Sequence, residues 1–199
     1  MKTYNILCGL SAVSLAACGG GADPILGNIV PPGPPAFDAY LVEAEALAQR
    51  SDGLPGTMVF PAEDNVTMTG LMFLAEDFDT SPDGYIGDFE ATVNFATGNM
   101  SGSATDFYYA VEASETTFVG PAEARAGTIT LQSAPILPGL NAFNLAGTLQ
   151  VSTSGSAVSV LGSGTGGFVG VNGDVFALDG SVNTAGFAEV FEVGILAER

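Results

Sequence analysis

Hydrophobic and polar residues alternate through most of this chain with a period of two. The clearest run is GDFEATVNFATGNMSG, residues 87–102. Phe89, Ala91, Val93 and Phe95 point one way and Glu90, Thr92 and Asn94 the other, the signature of a half-buried strand. Thr97, Gly98 and Asn99 form a turn, and Met100 opens a return strand. The same grammar predicts strands over Val66–Ala75, Gly84–Ala96, Met100–Asp106, Phe107–Ser114, Gly127–Gln132, Ala142–Thr153, Ser156–Ser163, Gly166–Val171, Asp174–Val182 and Gly186–Leu196, with a short candidate at Thr57–Phe60. In Ala142–Thr153, Phe143, Leu145, Leu149 and Val151 share one face.

One stretch follows a helical period instead. From Phe37 to Arg50, the residues Phe37, Tyr40, Leu41, Ala44, Leu47 and Ala48 fall on one face. Pro35 precedes this helix, Asp38 lies in its first turn, Arg50 in its last, and Gly53 stops it. It either docks on the strands or serves as a partner-binding surface. The expected fold is mainly β: a single antiparallel barrel of about eight strands preceded by one amphipathic helix, with a small sandwich as the other closure.

The N-terminus follows neither pattern. Lys2 precedes an apolar run, Ile6–Ala17, too short to span a bilayer as a helix. It ends in Leu15-Ala16-Ala17-Cys18 followed by three glycines. This resembles a bacterial lipobox, which implies cleavage before Cys18, acylation of its thiol (palmitate among the chains) and anchorage in a membrane. An ordinary secretory leader cut near Ala17 is the alternative. Gly19, rather than Asp, follows the cysteine, the choice that in such lipoproteins goes with the outer membrane. The predicted organisation is a lipoprotein signal peptide over 1–17, a Gly/Pro-rich tether over 18–35, the helix and its connection over 36–56, and the barrel over 57–199.

Composition narrows the chemistry. There is no histidine, and both cysteines, Cys8 and Cys18, lie before the strands. Cysteine, histidine and triad catalysis and a Cys/His zinc site therefore have no residues to work with in the barrel, and a non-catalytic role is expected. Four basic residues stand against 22 acidic ones, a net charge of −18, and loss of the leader removes Lys2 and no acid, giving −19. That surface repels nucleic acid and also serves simply as a solubilising charge.

Residues 79–90, DTSPDGYIGDFE, place Asp79, Ser81, Asp83 and Glu90 at positions 1, 3, 5 and 12 of a calcium loop, with Gly84 at 6. Residues 85–95 read as strand, however, which would carry Glu90 away from the others, so a solvated acidic loop is the competing reading. Tyr108 and Tyr109 are either strand aromatics or ligand-facing, even haem-contacting, residues. GSGTGG at 162–167 lacks the lysine of a phosphate loop and is read as a connection between strands.

The order of motifs resembles the β-barrel domain of transferrin-binding protein B-like surface lipoproteins. The residues that carry it are VTMTGLMFL (66–74), GDFEATVNFATGNMSG (87–102), GTITL (127–131), AFNLAGTLQV (142–151), GTGGFVGVNGDVFAL (164–178) and the final FEVGILAER. The resemblance implies one barrel displayed at a cell surface with a non-catalytic binding role toward a host or envelope protein or a small ligand. It does not extend to two lobes, so transferrin itself is not implied. A structural envelope lipoprotein without a soluble ligand and a calcium-binding module are the alternatives.

Overall fold

A computed structural model describes residues 35–57, 59–62, 65–78, 83–114, 117–118, 122–133, 135–152, 155–185 and 190–199. The leader, Cys18, the tether up to Pro34, and Asp79 and Ser81 lie outside the described residues. One helix, α1 (Pro35–Ser51), precedes ten strands: β1 (Val66–Ala75), β2 (Asp83–Asn94), β3 (Asn99–Ser114), β4 (Thr117–Phe118), β5 (Glu123–Arg125), β6 (Gly127–Ser133), β7 (Asn141–Leu149), β8 (Val158–Val169), β9 (Val175–Thr184) and β10 (Val190–Glu198).

Eight of these form a closed antiparallel barrel. Each of β1, β2, β3, β6, β7, β8, β9 and β10 pairs with the next, and β10 returns to β1. Closure gives each of these eight strands a neighbour on both sides. β4 and β5 pair with the far half of β3, beyond the four residues that β6 covers.

Strand alternation sorts the wall into two faces. Phe89, Ala91 and Val93 of β2 are buried inside while Asp88, Glu90 and Thr92 are exposed, as the period predicts. Every barrel strand contributes to one interior cluster, and Phe89, Phe107, Phe143 and Phe176 are among its largest fully buried members. An eight-stranded barrel is narrow enough for side chains to fill it, and here they do. One end is closed by aromatic rings: Phe60 lies 5.0 Å from Phe95 and 5.5 Å from Phe168, and Phe168 lies 5.2 Å from Phe176. Outside, Thr69, Thr92, Thr130, Asn144, Thr148, Ser163, Thr165 and Asn183 are exposed. A lipid-facing barrel needs an apolar outer band, so this wall is built to face water.

Three local predictions are corrected. Met100–Asp106 and Phe107–Ser114 are one strand, β3, with an extra residue between them. Opposite Ile86 and Asp88, which flank only Gly87, β3 places Thr105 and Tyr108 with two residues between. Asp106 takes φ 52°, a conformation Asp tolerates better than most residues. The bulge swaps the faces, so Ala104 and Phe107 both reach the interior. The glycines 162–167 are not a connection but the middle of β8. Gly164 faces Gly180 across the ladder, and a Cβ there would meet the Asp179 carbonyl at 2.7 Å and Leu178 at 2.8 Å. Among its described residues the region around Thr57–Phe60 holds no strand: Gly56 makes a single bridge to Val169, and Thr57 is tied to the Phe168 and Gly170 carbonyls.

α1 lies against the outside of the barrel. Tyr40, Ala44 and Leu47 are buried with Leu71 of β1, Ile86 of β2, Val175 of β9 and Leu196 of β10 in a second cluster. Arg50 grips Glu198 with two hydrogen bonds, 2.6 and 2.7 Å, and the Tyr40 hydroxyl donates to Asp88 at 2.8 Å.

Candidate functional site

The acidic stretch read from the sequence as a calcium loop is split. Asp83 and Glu90 belong to the same strand, β2, seven residues apart, a rise of about 23 Å. Their side chains also leave opposite faces, since seven is odd. One ion cannot touch both. Asp79 and Ser81 lie outside the described residues. Among the described residues, no group of three or more acids is close enough to hold a metal.

Asp83 joins a cluster at the barrel end opposite the phenylalanine plug. The Tyr109 hydroxyl donates to Asp83. The Tyr85 ring stacks 4.9 Å from Tyr109 and 5.8 Å from Phe191, and its hydroxyl donates to the Val151 carbonyl at 3.2 Å. Arg125 lies over the Tyr109 ring, 5.1 Å from its centre, and pairs with Glu123 at 2.7 Å. Its side chain is 5% exposed, and its Nε has no hydrogen-bond partner among the described residues. Burial, then the hydrogen bond and negative charge of Asp83, push the Tyr109 phenol well above its ordinary range, against the opposing charge of Arg125. The adjacent tyrosine behaves differently. Tyr108 points outward and packs 5.6 Å from Tyr40 beneath α1. Both tyrosines thus make packing contacts within the fold.

Glu90 belongs to a different place, a groove of about 830 Å3 on the outer wall beside α1. Glu43, Asp88, Glu90 and Asp106 supply its carboxylates, and Thr69, Thr92, Ser103, Thr105 and Thr130 its hydroxyls. Glu43 holds its proton more tightly than usual, through burial first and then the charges of Asp88 and Glu198, with Arg50 opposing. The Asp106 bulge borders this groove, and its carbonyl accepts from the Tyr40 hydroxyl of α1 at 3.4 Å. Among the described residues the lining has no cation; beside the carboxylates and hydroxyls stand the Gln132 amide and the apolar Ala91 and Leu131. It suits a ligand rich in donors or positive charge.

The sequence reading selected Asp83 and Glu90 but not the groups that surround them. Arg125 was visible only as an isolated cation, the one arginine between Arg50 and Arg199. Asp88 and Asp106 carried no motif; they become neighbours through the β2–β3 pairing and the bulge.

No protein-family model, curated protein or solved structure matches this chain.

Proposed function

We propose that this chain is an outer-membrane lipoprotein, anchored through acylated Cys18, whose barrel has a non-catalytic binding role at the cell surface. The observation that carries the anchor is the sequence Leu15-Ala16-Ala17-Cys18-Gly19 at the end of a short apolar leader. The filled barrel interior bears on how binding would work: a ligand has no chamber to enter, so recognition falls to the outer wall and the rims. The acidic, hydroxyl-lined groove beside α1 is the best-equipped surface for a host or envelope protein or a small ligand with basic groups. A structural envelope lipoprotein without a soluble ligand is the second reading, favoured by the same filled interior.

The test is expression with the leader intact in a bacterium with two membranes. Mass spectrometry of the mature N-terminus is expected to find a triacylated Cys18, and the protein to fractionate with the outer membrane. Cys18→Ala is expected to leave uncleaved or soluble protein. A mature N-terminus elsewhere, or membrane association that survives Cys18→Ala, refutes the anchor. Protease digestion of intact cells then separates outward display from a periplasmic orientation. For the binding role, Glu90→Lys with Asp88→Asn is expected to abolish capture of whatever the wild-type surface retains from envelope extracts. Retention unaffected by both changes refutes the groove.

A further inference from the structure

The aliphatic side chains left exposed on this barrel are not scattered. Of the eight large hydrophobics exposed to solvent among the described residues, five lie around the phenylalanine-plugged end: Leu54 at 38%, Val59 at 76%, Leu137 at 67%, Leu140 at 66% and Val171 at 81%. Single exposed aliphatics are ordinary, but a group on one rim is not. The remaining three are dispersed, with Val42 on α1, Leu161 on the wall and Val190 at the opposite end. The five come from three connections that interlock. Gly170 donates to the Pro55 carbonyl and Thr57 bonds back to Gly170, which ties the segment after α1 to the β8–β9 turn. Gly167 sits against Gly139 and Leu140, which ties in the β6–β7 loop. Asn141 bonds Leu137 and Gly139 and fixes the shape of that loop.

Charge at this end also differs from the rest of the surface. The two exposed arginines among the described residues are both here. Arg50 is paired with Glu198, and Arg199 lies 3.7 Å from Asp174. On a chain of net charge −18, each exposed arginine at this end offsets one acid, Glu198 or Asp174, and apolar side chains project beside them.

We infer that this rim rests on the membrane surface to which the chain is anchored, so that the barrel stands on its plugged end. The inference builds on the Cys18 anchor proposed above. Aliphatic side chains flanked by ion-paired arginines suit an interfacial contact, because the apolar groups enter the headgroup–acyl boundary while the Arg50–Glu198 and Arg199–Asp174 pairs stay at the polar level of the headgroups. The chain length permits it. α1 ends at this rim and begins about 25 Å away along its own axis. The 17 residues from Cys18 to Pro34 can span up to about 56 Å, more than twice the return distance. Standing this way, the barrel turns its tyrosine–arginine end outward and leaves the acidic groove facing sideways.

The full chain can test this without truncation. Processing removes Cys8 and acylation consumes the Cys18 thiol, so one introduced cysteine is the only free thiol of the mature protein. Leu137→Cys reports the rim and Ser163→Cys the exposed wall of β8. Each purified lipoprotein is labelled with an environment-sensitive fluorophore and reconstituted into phosphatidylethanolamine–phosphatidylglycerol vesicles, with and without lipids carrying a quencher in the acyl region. The expected result is that both proteins float with the vesicles, while the rim label is quenched at least roughly twofold more than the wall label. Leu140→Ser with Val171→Ser, which touches only exposed side chains, is expected to remove that difference without changing flotation. Flotation with equal quenching at both positions overturns the rim contact and leaves the anchor standing. Failure to float overturns the anchor and this inference with it. A rim label shielded from water but untouched by the lipid quencher, with energy transfer that rises with protein density, assigns the rim to a second copy of the chain and also overturns it.

Discussion

Leu47→Ala decides whether α1 is an integral part of the barrel or a detachable surface element. Leu47 is 1% exposed and lies in the outer cluster with Leu71, Ile86 and Leu196. The substitution removes three carbons. At about 0.8 kcal/mol per methylene the transfer loss is about 2.4 kcal/mol. The cavity adds to it, because the flanking groups hang from paired strands of a closed barrel and cannot collapse onto the helix. A total of about 3 kcal/mol is expected. For a domain of this length that is a fall of about 6–12 °C in midpoint. Urea unfolding followed by circular dichroism measures it, with Val42→Ala as a control on the solvent side of α1, where the change should stay within about 0.5 kcal/mol. Hydrogen exchange supplies the second readout. If α1 and the barrel unfold together, the amides of α1 and of β1 lose protection by the same amount. An unchanged midpoint, with faster exchange confined to α1, would refute this reasoning and favour a helix that leaves the wall to meet a partner.

Tyr40 and Tyr109 hold their protons far above the ordinary value of 10.0, through burial first and then their hydrogen bonds to Asp88 and Asp83. In the unfolded chain both would ionise near pH 10, so their contribution is fully present below that pH and is lost as pH rises beyond it. Melts are expected to fall steeply above pH 10, with Tyr40→Phe flattening the fall; an unchanged slope would argue against the buried phenol. Gly147→Ala would drive a Cβ into the Thr128 carbonyl on β6 and is expected to cost about 3 kcal/mol or more, whereas Gly139→Ala, at φ 104° with open space around it, should cost only about 1 kcal/mol of strain. Equal costs in urea titration would contradict the close packing of β6 and β7. Calcium is expected to leave the melting midpoint of the full chain where chelator leaves it, because Asp83 and Glu90 sit far apart on β2. A saturated site would add about 2.7 kcal/mol at a hundredfold excess over its dissociation constant, and such a rise, abolished by Glu90→Gln, would restore the loop reading.

What the sequence made legible was the part of the fold that depends on one strand at a time. β2 places every inward residue of the Phe89–Val93 run as the alternation dictates, and α1 lies within two residues of its predicted limits. What it hid depends on two strands at once. The bulge at Asp106 appears in the sequence only as a point where one run of alternation ends and another begins. Pairing with β2 shows it to be a single strand with one residue too many. The glycines of β8 looked like a loop because glycine is rare in strand interiors. They are tolerated because β9 comes close there: Gly164 faces Gly180, while a Cβ on Gly162 or Gly166 would meet the backbone of β9 opposite Val182 or Leu178. The candidate site follows the same division. Asp83 and Glu90 share a motif but no neighbourhood, while Arg125 and Tyr109 share a neighbourhood through β5 without any motif.

The two faces of the barrel wall constrain any binding role more tightly than the motifs do. A transmembrane barrel carries apolar residues outside and polar ones within; a ligand carrier of the same strand number leaves room at its centre. Here Phe89, Phe107, Phe143 and Phe176 occupy the centre and threonines cover the outside. To open a chamber would require moving several of these rings at once from a cluster contributed by all eight strands, at a cost of about 3–5 kcal/mol for each ring whose contacts are lost. No ordinary small-ligand affinity offsets several such losses. Selection for binding can therefore act freely only on the wall and the two ends. The plugged end is apolar, the opposite end spends Asp83, Tyr109 and Arg125 largely on one another, and the groove beside α1 exposes four carboxylates, of which Asp88 also holds the Tyr40 hydroxyl and Asp106 that of Thr105. Of these three surfaces, the groove is the one whose polar groups are least committed to holding the barrel together. Substitutions at Glu90 should therefore alter recognition while leaving the melting midpoint unmoved.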